Sequence, residues 1–386
     1  MTRAPEKDAI ISGVGISRIG RRTGIDGLEL TLESCRKAVE DAGLRLDEID
    51  GLTSLGDTPP PAAAAALGIE PVYHGGGFET GGLLSPVMSA FIAVAEGKAR
   101  HVLVYRTVQM MGGEYVPQDE GGEGGEGMSE MRRLMVDIEE MLAANAFSAV
   151  NWLAMHCRRH MEMYGTTKEQ LGWLALSSRQ KAALNPLAVY KDPLTMDDYM
   201  AARPISTPFS LLDCDVPVDG SIAFVVSHAD YAGDGASPPV RVEAIGGSPG
   251  LGGWFHRPDY PKMASIEAAN QLWSRTDLRP SDIDVAELYD GFTFLTFAWL
   301  EALGICGDGE AGPFVEGGQR IALDGDLPLN TYGGQLSAGR MHGYWVLHEA
   351  CLQLRGQAGE RQVTSPEVAV VSVGGGPIAG CMLLTS

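Results

Sequence analysis

Two distant stretches of this chain repeat one pattern of residues. LRLDEIDGLTSL at 44–55 and LRPSDIDVAEL at 278–288 each leave a helix, pass an acidic turn and enter an apolar strand. The ends of the two halves also resemble each other: VDGSIAFVVS at 218–227 is similar to the apolar strands that flank the glycines at 374–376. Repetition of a supersecondary unit over this distance predicts an internally duplicated α/β fold.

Within each half, the apolar residues alternate between the strand period and the helix period. The first half, residues 1–235, predicts strands at 9–14, 49–55, 101–105 and 221–227 and helices at 28–42 and 86–96. The second half, residues 236–386, predicts strands at 240–245, 367–372 and 378–384 and a helix at 265–273.

An insertion at about 110–205 interrupts the first half. Its acidic, glycine-rich stretch EGGEGGEG at 120–127 predicts a surface loop. Residues 140–203 are mostly helical in pattern, which predicts a helical cap over one end of the sheet. Such a cap is a suitable place for substrate selectivity.

The charge of the chain excludes some classes of partner. It carries 50 acidic and 29 basic residues, a formal net charge of −21. A surface this acidic repels phosphate backbones, so we expect neither nucleic acid nor an anionic membrane as a partner. Coenzyme A is not excluded, because a few local arginines or lysines can hold its phosphates.

Cysteine usage and the N-terminus predict a compartment. The six cysteines are scattered, without a CxxC pair or zinc-ligand spacing, and the N-terminus has no apolar stretch of signal-peptide length. No apolar run is long enough to cross a bilayer. We expect reduced thiols and a cytoplasmic location. His156 and His160 are four apart on a predicted helix but have no evident third ligand, so we expect a solvated or interfacial face and no metal site.

Two segments carry a resemblance to a known family. Residues 165–226, GTTKEQLGWLALSSRQKAALNPLAVYKDPLTMDDYMAARPISTPFSLLDCDVPVDGSIAFVV, and residues 329–344, LNTYGGQLSAGRMHGY, closely resemble the sterol-carrier-protein-x branch of thiolases. The likeness extends from residue 9 to the C-terminus. It implies a thiolase fold with a duplicated βαβαβ core in five layers, a homodimer, and acyl-CoA bound in a narrow channel.

The chain departs from thiolases at the residues that perform thiolysis. The family uses a nucleophilic cysteine at a helix N-terminus, a histidine that activates it, and a second cysteine near a C-terminal triglycine. Here Phe78, Arg340 and Ser372 occupy those three positions, and Tyr289 replaces the motif asparagine. A covalent acyl-enzyme is therefore not expected.

This pattern of losses resembles the lipid-transfer-protein-type steroid aldolases of actinobacteria. The resemblance implies retro-aldol cleavage of a β-hydroxyacyl-CoA, in complex with a small zinc-ribbon and OB-fold protein. It also implies two catalytic tyrosines, which match Tyr289 and Tyr344. Coenzyme A then enters as part of the substrate, and no separate cofactor is expected.

Retro-aldol cleavage needs a base for the β-hydroxyl, donors for the enolate oxygen and an acid for Cα. The reference pKa of a phenol is about 10, so a tyrosine base needs a cationic or hydrogen-bonding neighbour. Arg340 and His342 are close in sequence to Tyr344 and are the candidates, with His342 the third predicted catalytic residue. Asp290 can orient a partner of Tyr289, although its charge raises a tyrosine pKa. The base is not assigned between the two tyrosines.

Each candidate also has a structural interpretation. The tyrosines suit a core, Arg340 suits an ion pair, and His342 suits the channel wall. The glycines Gly374, Gly375 and Gly376 predict backbone N–H groups near a thioester oxygen, or only a turn. With Arg340, Asp290 and Phe78 they form the predicted substrate-binding set.

The leading hypothesis is an aldol-lyase that cleaves a β-hydroxyacyl-CoA with a bulky, steroid acyl group to a ketone and a short acyl-CoA such as propionyl-CoA. The alternatives are a thiolase-like acyl-CoA acyltransferase and a non-catalytic acyl-CoA-binding subunit.

Overall fold

The computed structural model describes residues 4–56, 58–76, 81–111, 136–233, 235–248 and 253–386. Over these residues nine strands form one mixed sheet in the order β3-β2-β4-β7-β1-β8-β11-β10-β9, and β5 and β6 form a separate ribbon. The strands are β1 Ala9–Ile16, β2 Gly51–Ser54, β3 Tyr73–Gly75, β4 His101–Gln109, β5 Pro204–Ser206, β6 Phe209–Ser210, β7 Asp219–His228, β8 Val240–Ser248, β9 Val285–Glu287, β10 Val368–Gly375 and β11 Ile378–Thr385. The α-helices are α1 Gly27–Asp41, α2 Pro60–Leu67, α3 Ser85–Ala95, α4 Val136–Ala143, α5 Ala149–Tyr164, α6 Lys168–Ala182, α7 Met196–Met200, α8 Ser265–Trp273, α9 Thr293–Ala302, α10 Ala311–Val315 and α11 Tyr344–Leu354.

The strand order repeats about the junction of β1 and β8. Outward from that junction, the first half reads β1-β7-β4-β2 and the second reads β8-β11-β10-β9. The pairing senses also match, with β2 parallel to β4 and β9 parallel to β10. The other neighbouring strands within these two series of four are antiparallel. The duplication predicted from the sequence is therefore confirmed, and the division at residue 235 stays a prediction.

Alternation along the strands separates two apolar layers. On β4, Val102 and Val104 join the large core that contains α3 and α11, whereas Leu103 and Tyr105 join the layer beneath α1 and α2. Successive side chains of a strand point to opposite faces, so an apolar strand such as β4 must be covered on both. Helices α3 and α11 both pack on β1 and β7, which places them in the middle of the molecule, and α8 packs on β8 and β11.

The cap consists of α4 to α7 and the β5–β6 ribbon. Helix α6 begins at Thr167, whose side chain accepts from the Gln170 amide. It packs against a π-helical turn, Gly334–Ala338, which directly precedes Arg340. The cap therefore supports the loop that carries the predicted site residues. The glycine-rich stretch 120–127 lies outside the described residues.

The elements predicted from periodicity are present. Elements that were not predicted include α2, whose PPAAAAAL sequence has almost no amphipathic pattern, the three-residue strand β3, the β5–β6 ribbon and the helix α9. Among the described helices, none is long and apolar enough to span a bilayer.

Candidate active site

Tyr289 follows the end of β9. Its backbone N–H donates to Ser372 Oγ over 3.1 Å, which joins the residue to β10. Burial raises the pKa of its phenol, the carboxylate of Asp215 raises it further, and Arg340 opposes both effects. The phenol is therefore protonated at neutral pH unless a substrate changes its surroundings.

Asp290 is buried and holds the neighbouring loop. It accepts from the backbone N–H of Gln335 over 2.9 Å and of Leu336 over 3.4 Å. A Cβ on Gly334, at φ 64°, would lie 2.0 Å from Asp290 Oδ2, so only glycine permits this approach. Burial raises the Asp290 pKa to about 6. Both carboxylate oxygens thus accept from the backbone of this loop, and the role of Asp290 in substrate binding stays a prediction.

Arg340 faces Asp215. Its Nη1 lies 3.3 Å from Asp215 Oδ1, and its Nε and Nη2 lie 3.1 and 2.9 Å from the sulfur of Met110. Burial raises the Asp215 pKa to about 7, although Arg340 acts to lower it. Arg340 lowers the pKa of Tyr289 and does not act on Tyr344. The predicted role of Arg340 as the cation beside Tyr344 is therefore wrong.

Tyr344 is the first residue of α11 and is fully buried. The preceding Gly343 has φ 89°, and a Cβ there would lie 2.1 Å from Val373 Cγ1 and 3.8 Å from Tyr289 Cδ2. The ring of Tyr289 thus packs beside the residue before Tyr344. The fold therefore brings the ring of Tyr289 to the start of α11, although the two motifs are far apart in the chain.

The cation beside Tyr344 is Arg106, at the middle of β4. Its Nη2 lies 2.6 Å from His342 Nδ1, and it also donates to the carbonyl of Leu55. Burial raises the pKa of Tyr344, and Arg106 lowers it. Burial, Arg106 and Arg340 hold the His342 pKa well below its usual value, so this imidazole is neutral. Of the two kinds of neighbour expected for Tyr344, cationic or hydrogen-bonding, His342 can be only the second.

Several buried polar atoms at this place make no hydrogen bond with the described residues. They are the hydroxyl of Tyr344 and both the nitrogen and the oxygen of the Gln335 side-chain amide, which still lies close enough to Tyr289 and Asp290 to lower the pKa of both. A buried polar group left without a partner costs about 1–3 kcal/mol. Groups of this kind, placed around Tyr289 and Tyr344, are what a polar ligand would satisfy.

The triglycine forms the turn between β10 and β11. Gly374 pairs with Ala379 and Gly375 with Ile378, and the Gly376 N–H lies 3.0 Å from the sulfur of Met263. The Gly376 amide thus faces a thioether sulfur, which is only a weak acceptor. The role of the three glycines at the thioester oxygen stays a prediction.

All six cysteines are free thiols. Burial raises the pKa of Cys35, Cys306 and Cys351 to about 12 and raises that of Cys157 and Cys381 further. Cys214 adjoins Asp215, and burial with the Asp213 and Asp215 charges raises its pKa to about 12. A thiolate nucleophile is therefore not formed near neutral pH.

A cleft of about 370 Å³ opens beside Asp215. Its wall includes Arg21, Arg179, Tyr190, Cys214, Asp215 and Leu336. The Arg21 and Arg179 guanidinium carbons lie 5.7 and 5.4 Å from the Tyr190 ring centroid. Within the part of the chain that the structure describes, neither arginine has a carboxylate partner within 4.0 Å.

The two cap histidines are buried, which leaves the interfacial alternative and excludes the solvated one. His156 lies 3.0 Å from the carbonyls of Trp152 and Trp254, and His160 lies 3.1 Å from the Glu301 carboxylate. The two side chains thus connect helix α5 to the chain around Trp254 and to Glu301 of helix α9. In the described ranges, no three metal-ligating side chains converge.

Three site residues were missed by sequence reasoning: Arg106, Asp215 and Gln335. Arg106 had a signal, because it is a charge inside the apolar strand HVLVYRTVQ. Asp215 had a weaker one, in an acidic pair just before a strand, and Gln335 had none. Phe78 lies outside the described residues.

Comparison with known proteins gives relatives over nearly the whole chain. A family model described as thiolase C-terminal domain-like matches residues 253–384. A 17-hydroxy-3-oxo-4-pregnene-20-carboxyl-CoA lyase from Mycobacterium tuberculosis is 34% identical, over 97% of this chain and 98% of that protein. A steroid side-chain-cleaving aldolase from Thermomonospora curvata is 32% identical, over 97% of each.

Solved structures agree with these relatives. An Ltp2-ChsH2(DUF35) aldolase superposes with a TM-score of 0.86 at 30% identity, over 98% of both chains. A monomeric SCP2-thiolase like protein from Mycobacterium smegmatis superposes with a TM-score of 0.71 at 17% identity, over 99% of this chain and 78% of that one. The second likeness supports the thiolase fold alone.

Proposed function

Since this chain belongs to the thiolase-fold family of steroid side-chain-cleaving aldolases and is a carbon–carbon lyase, we propose that its substrate is a β-hydroxyacyl-CoA with a steroid acyl group. The products are a steroid ketone and a short acyl-CoA such as propionyl-CoA. One observation carries the proposal: Tyr289, which stands where thiolases have an asparagine, packs beside the residue before Tyr344, whose buried hydroxyl has no partner among the described residues.

The reaction balances without any other reactant. A base takes the proton of the β-hydroxyl, and the Cα–Cβ bond breaks as the β-carbon becomes a ketone. The electron pair of that bond forms a thioester enolate, and an acid then protonates Cα. Tyr289 and Tyr344 supply the acid and base, and the unpaired amide of Gln335 offers a donor for the enolate oxygen. We propose no cofactor beyond coenzyme A, which enters as part of the substrate.

The state of the thiols favours this chemistry over acyl transfer. An acyl-enzyme needs a nucleophile that ionises near neutral pH. Cys214, the cysteine in the cleft wall, has a pKa raised to about 12 by burial and two carboxylates. A thiolase-like acyltransferase is therefore the weaker candidate.

The phosphates of coenzyme A have a suitable place at Arg21 and Arg179. Both guanidinium groups lie over the Tyr190 ring, in a cleft whose wall includes Asp215. The charge of Asp215 raises the pKa of Tyr289. Hydrogen bonds from guanidinium to phosphate are charge-assisted and worth about 1.5–3 kcal/mol. In a chain of net charge −21, arginines without a carboxylate partner among the described residues suit an anionic ligand.

That place is tested by comparing an acyl-CoA substrate with the matching acyl-pantetheine, which lacks the nucleotide. Arg179→Gln and Arg21→Gln should raise KM for acyl-CoA by about tenfold or more and leave KM for acyl-pantetheine unchanged. The control is Arg36→Gln, which alters an exposed arginine of α1. An equal change with both substrates would contradict a phosphate site.

We further propose a homodimer, a cytoplasmic location and a complex with a small zinc-ribbon and OB-fold protein. The aldolase of similar structure carries a second protein in its name, Ltp2-ChsH2(DUF35), which supports the complex. The six free, scattered thiols support a reducing compartment.

Product analysis tests the function. The chain is co-expressed with its proposed partner and incubated with a 17-hydroxy steroid that carries a three-carbon acyl-CoA side chain. We expect a 17-keto steroid and propionyl-CoA. Acyl-CoA that stays bound and uncleaved would instead indicate a binding subunit, and a mass increase from a covalently held acyl group would indicate an acyltransferase.

A further inference from the structure

Arg106 is a charged residue inside an otherwise apolar strand of the first half. It lies between two loops, since its Nη1 donates to the carbonyl of Leu55 and its Nη2 lies 2.6 Å from His342 Nδ1. His342 belongs to the second half, in a left-handed conformation at φ 50°. The contact therefore joins the two halves at the loop that leads into helix α11 and its first residue, Tyr344.

The contact determines which nitrogen of His342 carries hydrogen. A guanidinium can only donate, so Nδ1 of His342 must accept, and the neutral ring then carries its hydrogen on Nε2. This tautomer offers an N–H donor, which suits an enolate oxygen. Arg106 also opposes protonation of the ring, because two cations would then face each other.

The same guanidinium distinguishes the two tyrosines. Tyr344 has Arg106 as its charged neighbour, whereas Tyr289 has the carboxylates of Asp215 and Asp290 together with Arg340. A cation favours the phenolate form and a carboxylate favours the phenol. Burial raises the pKa of both phenols, so the two differ in these charged neighbours, which favour a proton acceptor at Tyr344 and a proton donor at Tyr289.

We propose that Arg106 is a positioning residue for the reaction: its hydrogen bond holds His342 with hydrogen on Nε2, and its charge beside Tyr344 makes Tyr344 the residue that takes the substrate's hydroxyl proton. The second clause rests on the proposed function. Tyr344 as phenolate receives the β-hydroxyl proton while the Cα–Cβ bond breaks, and Tyr289 then gives its proton to Cα. Proton exchange with solvent then restores the phenolate of Tyr344 and the phenol of Tyr289.

Several neighbouring elements contribute groups that face Tyr344. Strand β4 contributes Arg106 and Tyr105, and the Tyr105 hydroxyl donates to the carbonyl of Thr58. Strands β1 and β10, which pack on α11, have no titratable side chain.

Strands β7 and β9 also pack on α11. Asp219 and His228 lie at the two ends of β7, and Asp219 accepts from the backbone of Thr23 and Met111. On β9, Glu287 accepts from Thr331. On α11 itself, burial lowers the pKa of His348 to about 3, so this residue is neutral. Arg106 is therefore the cation of this environment among the described residues.

The first test is the pH dependence of kcat/KM in the complex with the partner protein. Arg106→Met should move the limb that rises with pH upward by about one unit, because the phenolate loses its cation. The loss at pH 7 should be about tenfold and should close toward high pH. Arg106→Lys keeps the charge, so its limb should stay near the wild-type position, with a lower kcat.

An Arg106→Met variant with an unmoved pH limb, or a uniform loss at every pH, would overturn the base assignment. In a Tyr344→Phe background, Arg106→Met should produce no further shift of the pH limb. A shift in that background would also overturn the assignment of Tyr344 as the base. Thermal unfolding checks that each variant folds. If Arg106→Met does not fold, the comparison is made with Arg106→Lys and the Tyr344→Phe background.

The second test needs no turnover, so it remains valid if the proposed substrate is wrong. Nitrogen-15 NMR of histidine-labelled protein reports the tautomer of His342, whose signal is identified by its loss in His342→Gln. We expect the Nε2–H form in the wild type and a changed tautomer balance in Arg106→Met. An Nδ1–H form in the wild type, or a signal unaffected by Arg106→Met, would overturn the positioning role. A correct tautomer without cleavage would contradict only the proposed function.

Discussion

The two phenols of the site differ in the charges around them. Tyr289 lies near two carboxylates and Arg340, whereas Tyr344 has Arg106 and a hydroxyl without a partner among the described residues. Burial raises the pKa of both phenols, so each needs its neighbours to reach a useful reactivity. The reactivity of each tyrosine therefore depends on which charged side chain of the first half lies next to it.

Tyr344→Phe should lower kcat for cleavage by at least about a hundredfold, because proton transfer by a positioned side chain contributes about 10²–10⁴-fold. Substrate KM should change little, since the ring remains. Steady-state kinetics with the steroid acyl-CoA measures both. The matched control is Tyr332→Phe, which removes another buried hydroxyl that makes no hydrogen bond to the described residues and should keep activity. Full activity in Tyr344→Phe would contradict the assignment.

Helix α11 places Tyr344 by the way it begins. Gly343 precedes the helix in the left-handed region, in contact with Val373 and next to the Tyr289 ring. The helix is buried over nearly its whole length and runs between the two halves. An element this enclosed cannot adjust its position without moving the site.

Gly343→Ala should therefore reduce cleavage more than tenfold and lower the free energy of unfolding. A Cβ there would lie 2.1 Å from Val373 Cγ1, so the helix start must shift and separate the tyrosines. The control Gly97→Ala has a similar positive φ of 71° but open space around it, and should cost only about 1 kcal/mol with activity intact. Urea unfolding and steady-state kinetics measure the two effects. Equal effects in both variants would rule out the steric argument.

His348, one turn further along α11, predicts a pH dependence of stability. Burial lowers its pKa from about 6.5 in the unfolded chain to about 3, so the unfolded state binds more protons between these values. The contribution of neutral His348 to the free energy of unfolding is therefore fully present above pH 6.5. Below that pH it is lost as pH falls toward the folded-state pKa, at about 1.4 kcal/mol per pH unit.

The pH dependence can be isolated with His348→Asn, which removes the titrating ring. The wild type should lose about 2 kcal/mol more than this variant between pH 7 and pH 5. Urea unfolding at the two pH values gives the difference. Parallel losses in the two proteins would show that another group is responsible.

Across the whole molecule, buried polar contacts join the two halves. Arg355, at the end of α11, lies 2.7 Å from Asp41 Oδ2 of α1 and donates to the carbonyls of Ile11 and Ser12 on β1. Its side chain is 1% exposed. The β1–β8 pairing continues the same connection through the sheet.

Arg355→Met should lower the free energy of unfolding by about 3 kcal/mol, because it leaves the half-buried Asp41 carboxylate and two carbonyls without their partner. The control Arg45→Met alters an exposed ion pair with Asp47 and should cost under about 1 kcal/mol. Denaturant unfolding monitored by tryptophan fluorescence provides the comparison. A loss as small as that of the control would mean that this contact does not hold the halves together.

The sequence by itself determined the repeated α/β unit, most strand and helix positions, and the two tyrosines. These features are local: periodicity, turns and motif positions are contained in short stretches, so they can be recognised without a fold. The absence of a usable thiolate was also predictable, because none of the six cysteines occupies a thiolase catalytic position.

The tertiary structure alone decided which charges surround each tyrosine. Arg340 is four residues from Tyr344 in sequence, yet it faces Asp215, whereas Arg106 reaches the site from the other half. Electrostatic effects depend on distance and burial rather than on position along the chain, so sequence proximity chose the wrong cation. The packing of β4 against the loop at 339–343 instead places Arg106 near Tyr344.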